Sequence, residues 1–96
     1  MIRHVAVFTF VPSFTGDQRR RWMAMVAALP GQIPQIRALS IGEDVVHGPT
    51  SHDLAIVADF DSVADLEAYS THPAHAEVLA VSATVKASLA VVDFEL

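Results

Sequence analysis

Residues 2–11 read Ile-Arg-His-Val-Ala-Val-Phe-Thr-Phe-Val, apolar at nearly every position and rich in β-formers. That pattern predicts a strand covered on both faces rather than one half in water. Pro12 ends it. Thr15 and Gln18 then stand at the spacing of a capping box, and Trp22, Val26 and Leu29 recur at helical intervals until Pro30-Gly31 stops the helix. A second strand is expected from Gln35 to Val46, with a bulge or bend near Gly42. His47-Gly48-Pro49-Thr50-Ser51 reads as a loop, and Leu54 to Phe60 as a third strand.

Ser62 and Asp65 repeat the capping-box spacing and open a helix with Val63, Leu66 and Tyr69 on one face. Pro73 suits the first turn of a further helix, because it lacks the amide hydrogen that would be orphaned there. That helix is expected to reach about Ala87, and Leu89 to Leu96 closes the chain as a strand. The order is β-α-β-β-α-β, and a strand ending in Phe10 or Phe60 leads each time into a capped helix. Two such halves make an α+β, ferredoxin-like sandwich, with residues 1–96 as a single domain. Helices can cover only one face of its sheet. Val5, Val7, Ala55 and Val57 lie on the parity opposite His4 and Ile56, so the uncovered face is apolar as well. Two copies joining those faces would complete the burial.

Composition sharpens that expectation. A chain of 96 residues buries only about two-thirds of its unfolded surface, yet 52% of this one is hydrophobic and only 18% charged. A subunit interface is the usual place for the excess, so a homodimer is expected. The net charge of -5 argues against nucleic acid, which needs a clustered basic surface. Arg19-Arg20-Arg21, with Asp17 nearby, reads as a solvated helix face. No apolar run reaches the ~18 residues of a membrane span, and a cytoplasmic location is the default expectation. The absence of cysteine removes disulfides, thiolate metal sites and a cysteine nucleophile.

Candidate chemistry concentrates in Tyr69-Ser70-Thr71-His72-Pro73-Ala74-His75, two imidazoles and a phenol where one helix stops and another starts. With Pro73 in the first turn, His72 falls at the N-cap and closes the turn. His75 falls inside the helix start, where the positive end of the dipole disfavours imidazolium and suits a proton acceptor near neutral pH. Tyr69 can orient a bound carbonyl or phenolic oxygen. His4 shares the parity of Ala6, Phe8 and Phe10, either as a locally satisfied core residue or as the floor of a pocket between sheet and helices. The His72-x-x-His75 spacing suggests a metal pair only weakly, since a cap residue does not share the face of its successor. No glycine-rich phosphate loop or nucleophile elbow is present, and no cofactor is implied.

Ile2-Arg3-His4-Val5-Ala6-Val7-Phe8, Asp53 to Ser62, Tyr69 to His75 and Val91-Val92-Asp93-Phe94, in that order and at this length, resemble the stress-responsive dimeric α/β-barrel family. The resemblance implies a homodimer whose two sheets close into a barrel with helices outside, and some members assemble further into rings. The family includes proteins with no established reaction and at least one polyketide cyclase. By that likeness Tyr69 and His75 would be the catalytic pair. His75 would take a proton to start an intramolecular aldol closure, Tyr69 would hold the substrate, and His4 would line the same pocket. Leu54 stands where the cyclase has a further pocket histidine, and Trp22, Met23 and Val26 correspond to its aromatic helix wall.

Two functions are therefore carried forward. One is a dimeric barrel that binds a small hydrophobic or aromatic ligand, with no established turnover. The other is a cofactor-free enzyme (a cyclase, isomerase, lyase or oxygenase) with His75 as base and Tyr69 beside it. Walls from His4, Phe8, Trp22, Val26 and Leu54 serve either.

Overall fold

The structure, a computed structural model, describes residues 1–96. Its first strand, β1 (Ile2–Phe10), occupies the middle of a four-stranded antiparallel sheet. Helix α1 (Gly16–Ala27) and a 3-10 turn (Leu29–Gly31) lead to β2 (Ala38–Glu43) and β3 (Leu54–Phe60). Helices α2 (Val63–Ser70) and α3 (Pro73–Val85) follow, then β4 (Lys86–Glu95). The strand order β2-β3-β1-β4 is that of a ferredoxin-like α+β fold, as the pattern predicts.

Alternation along β1 and β3 divides their side chains. Ile2, Ala6, Phe8, Phe10, Leu54, Ile56, Ala58 and Phe60 are buried under the helices, whereas Val5, Val7, Ala55 and Val57 stay half-exposed on the opposite face. The near-continuous apolar run of β1 is therefore covered by this chain on one side only. Register carries the bare patch onto β4, where Val92 lies opposite Val5 and Phe94 opposite Arg3. Every residue of β4 is exposed. At the rim of this face Arg3 donates from Nε and Nη2 to the Asp59 carboxylate at 2.8 and 2.9 Å, which holds that carboxyl below its usual range.

Under the helices, Trp22, Val26 and Leu29 are each 1% exposed, so the helical spacing seen in the sequence is the core stripe of α1 and the turn after it. Trp22 meets Phe8, Phe10 and Phe14 edge-on at centroid separations of 5.5, 5.7 and 6.3 Å. Its indole Nε1 also donates to the Val78 carbonyl at 3.1 Å, which ties α1 to α3.

Several boundaries differ from the expected ones. Gly42 pairs in regular register with Ala55, and the sheet's irregularity lies at Thr9/Phe10, where the Asp53 carboxylate takes the Phe10 amide at 2.8 Å. The second strand is shorter than Gln35–Val46, because Asp44 turns the chain. Its carboxylate accepts the His47 amide at 2.6 Å, and His47 sits at φ 55°. Thr15 is the N-cap of α1 but makes no side-chain cap bond, and Gly16 at φ 43° makes the turn instead. Ser62 does cap α2, accepting the Asp65 amide at 3.2 Å, while Val63 points to water at 55% exposure. Helix α3 stops at Val85, two residues before Ala87; the Val85 carbonyl takes the Val11 amide at 2.8 Å, and β4 starts three residues early.

This packing ranks two neighbouring substitutions. Phe60→Ala empties a fully buried ring site and should cost about 3–5 kcal/mol in urea unfolding at fixed protein concentration. Ser62→Ala removes one exposed cap bond and should cost about 1 kcal/mol. Equal costs would contradict the assignment of Phe60 to the core and Ser62 to the rim.

Candidate functional site

Because α1 and α3 pack over the central strands, a wedge stays open between α3 and the inner side of β4. It forms a cavity of about 130 Å³. The sheet supplies its floor through His4, Ala6 and Phe8 of β1 and Val91 and Leu89 of β4, between the row where His4 faces Asp93 and the row where Phe8 faces Leu89. Trp22 and Val26 of α1 close one wall. Tyr69 at the end of α2, and His75, Val78, Leu79 and Ser82 along α3, close the other.

The structure thus brings His4, Phe8, Trp22, Val26, Tyr69 and His75 around one cavity. Leu54 is not among them. It pairs with Phe8 across the sheet, but its side chain is packed in the core at 2% exposure, and the residue backs a different depression of about 340 Å³ beside Glu43, Asp44 and His52. That depression is wider and more open, and it adjoins the bare sheet face through Val7 and Ala55, away from Tyr69 and His75.

The turn between α2 and α3 sets the polar end of the cavity. His72 is the N-cap of α3, and its Nδ1 accepts the Ala74 amide at 3.0 Å. Pro73 occupies the first helical position, and His75 follows one residue after the capped amide. Nδ1 of His75 lies 3.1 Å from the Ser70 carbonyl oxygen. A carbonyl can only accept, so Nδ1 carries the proton and Nε2 is left with its lone pair. Burial pushes the His75 pKa below the ordinary histidine value, the Ser70 bond opposes this, and the neighbouring His4 adds to it. The imidazole is therefore neutral at pH 7 and able to take a proton.

Tyr69 sits between the two histidines. Its ring centroid is 4.2 Å from that of His75 and 5.9 Å from that of His4, with Phe60 behind it at 5.1 Å. The residue is 3% exposed, and burial alone pushes its phenol up to about 12, so it remains a hydrogen-bond donor at any ordinary pH. His4 brings Nδ1 to 2.5 Å from an Asp93 carboxylate oxygen, which accepts from it. The resulting arrangement can donate from Tyr69 and accept at His75, within walls that are mostly apolar. His72 is engaged in its cap bond and His75 in its bond to Ser70, and no three His, Asp or Glu side chains cluster as a metal would require.

Sequence reasoning passed over Asp93 because nothing in its spacing joins it to a histidine. The signal was in the inward parity of the last strand, where Leu89, Val91 and Asp93 alternate beside β1. Leu79 and Ser82 were missed because α3 is apolar on most sides, which hides the stripe that faces the cavity.

A model of the stress responsive A/B barrel domain matches residues 2–96. Among solved structures, a dimeric ferredoxin-like protein of unknown function from Thermobifida fusca is 34% identical, with 99% of this chain and 90% of that one covered at a TM-score of 0.90. A dimeric protein of unknown function from Bacteroides fragilis is 27% identical over 99% and 95% of the two chains, at 0.82. A hydroxynitrile lyase from Passiflora edulis shares the fold at 19% identity and a TM-score of 0.86, over 99% and 92%. No curated protein matches the chain.

The lowered pKa of His75 has a measurable sign. A buried neutral imidazole contributes stability that is fully present above its unfolded pKa of about 6.5 and is lost as pH falls through the lower folded value. Proton NMR should give His75 a titration midpoint below that of an unfolded histidine, with Nδ1 as the protonated nitrogen at pH 7. A midpoint above 6.5 would contradict the burial and the bond to Ser70.

Proposed function

The chain belongs to the stress responsive A/B barrel domain family, and from that premise we propose that it works as a homodimer in which each protomer binds one small, mostly apolar ligand between sheet and helices. The bare face of Val5, Val7, Ala55 and Val57 is the surface the second copy would take, and the dimeric relatives from Thermobifida fusca and Bacteroides fragilis support that pairing. The cavity is on the other face of the sheet, so each protomer keeps its own site. One observation carries the ligand reading. The walls are almost wholly apolar, and the polar groups at one end offer a donor at Tyr69 and an acceptor at His75. Such a site fits a hydrophobic body with one carbonyl or hydroxyl group. No helix of the chain is long and apolar enough to cross a membrane.

The fixed tautomer of His75 favours a second reading, in which the bound molecule also reacts. Nε2 would remove a proton from the carbon next to a ligand carbonyl, and the electron pair would move onto the carbonyl oxygen, where the Tyr69 hydroxyl donates to the enolate. His75 would become an imidazolium still bonded to Ser70, and the proton would return to carbon, giving isomerisation, or to a leaving or accepting group, giving a lyase or an aldol closure. No cofactor enters these steps. The hydroxynitrile lyase of the same fold is an enzyme, which supports the second reading by analogy of fold only.

Acetophenone tests both readings. Binding should shift the NMR signals of Tyr69 and His75 saturably, and its methyl hydrogens should exchange with deuterated solvent faster in the presence of protein. His75→Ala should slow that exchange by about 10²- to 10⁴-fold while affinity falls much less. Equal exchange rates for variant and parent would remove His75 as base. Saturable shifts at sites other than this cavity would overturn the ligand reading itself.

A further inference from the structure

The cavity has a second polar point at the end far from His75. Ser82 is 2% exposed, one of only two polar residues buried in the chain, and it lines the same cavity. Its hydroxyl proton is spent on the Leu79 carbonyl at 3.3 Å, a bond within α3 that leaves the oxygen's lone pairs without a donor. His75, Val78, Leu79 and Ser82 stand at i, i+3, i+4 and i+7, so one stripe of α3 runs along the cavity with a polar residue at each end. Seven residues of helix separate those ends by about 10.5 Å.

The sheet shows which end is which. His75 meets Tyr69 and His4 at the His4–Asp93 row. Ser82 is three residues before Val85, whose carbonyl bonds Val11, so it lies toward the Phe8–Leu89 row. The space between is bounded by Val78, Leu79 and Val91 and offers no other polar side chain. With its proton given to Leu79, the Ser82 oxygen keeps lone pairs that can accept from a donor placed in the cavity.

We propose that Ser82 is a specificity-determining residue that accepts a hydrogen bond from a hydroxyl at the distal end of the ligand. The ligand class is a flat, ring-sized molecule with a carbonyl at the Tyr69–His75 end and a hydroxyl para to it. A para-disubstituted benzene with a hydrogen bond at each end spans two helical turns, whereas an unsubstituted ring leaves Ser82 unanswered. The proposal rests on the ligand reading of this cavity and adds the second anchor to it.

The test compares 4'-hydroxyacetophenone with 4'-methylacetophenone, which has nearly the same shape and no donor. Calorimetry at pH 7, where the phenol keeps its proton, should show the parent protein binding the hydroxy ketone about three- to tenfold more tightly. Ser82→Ala should erase that preference, leave the methyl ketone bound at least as well, and melt no lower than the parent. A preference that survives in the variant, or its absence in the parent, would overturn the role of Ser82 while the cavity reading stands. Equal loss of both ketones with a lower melting temperature would make Ser82 structural and overturn it too. Failure of both ketones to bind the parent would remove the cavity reading and the proposal together.

Discussion

β1 is apolar on both of its faces, and the helices of its own chain reach only one of them. That imbalance governs the rest of the molecule. On the helical side Phe8 and Phe10 meet Trp22 and Phe14 in an edge-on aromatic cluster, and burial there is nearly complete. On the other side Val5 and Val7 continue into Ala55, Val57, Val92 and Phe94 as an apolar surface too large for a chain of 96 residues to hide. Pairing with a second copy, as proposed above, is what would cover it.

The same economy leaves room for the site. Trp22 fixes α1 to α3 through the Val78 carbonyl, and both helices then sit over β1 and β3. β4 lies beyond their cover, so Leu89 and Val91 keep 40% and 45% of their surface although they face the helical side. The cavity is the space between that uncovered edge and α3. Its chemistry comes from the turn at residues 70–75, where one helix ends and the next is capped. The carbonyl of Ser70, at the end of α2, is what orients His75 in the first turn of α3. A capping arrangement that stabilises the turn thereby also sets a tautomer.

Much of this was legible in the sequence. Strand parity separated the two sheet faces correctly, and Pro73 located His72 at a cap and His75 beyond it, as the structure has them. The repeated strand-to-helix pattern yielded the topology. What the sequence could not show was contact at long range. The pairing of His4 with Asp93 spans 89 positions and depends on the β1–β4 register, and the bond from His75 to Ser70 depends on how two helices meet. Leu54 illustrates the converse. It has the inward parity of β3, but its position at the strand end buries it behind Phe8 rather than beside Tyr69. Residues that line a cavity and residues that fill a core share one periodicity, and only packing separates them.

Light scattering at low micromolar concentration tests the central constraint most directly, with Val57→Asp as the comparison. The parent should report twice the 10.3 kDa chain mass. A carboxylate at Val57, in the middle of the bare face, should abolish that mass and leave dissociated, partly unfolded or insoluble chain, since an unpaired charge in a dry interface costs several kcal/mol. A parent protein that is fully folded at the single-chain mass, with a variant that melts unchanged, would contradict the account.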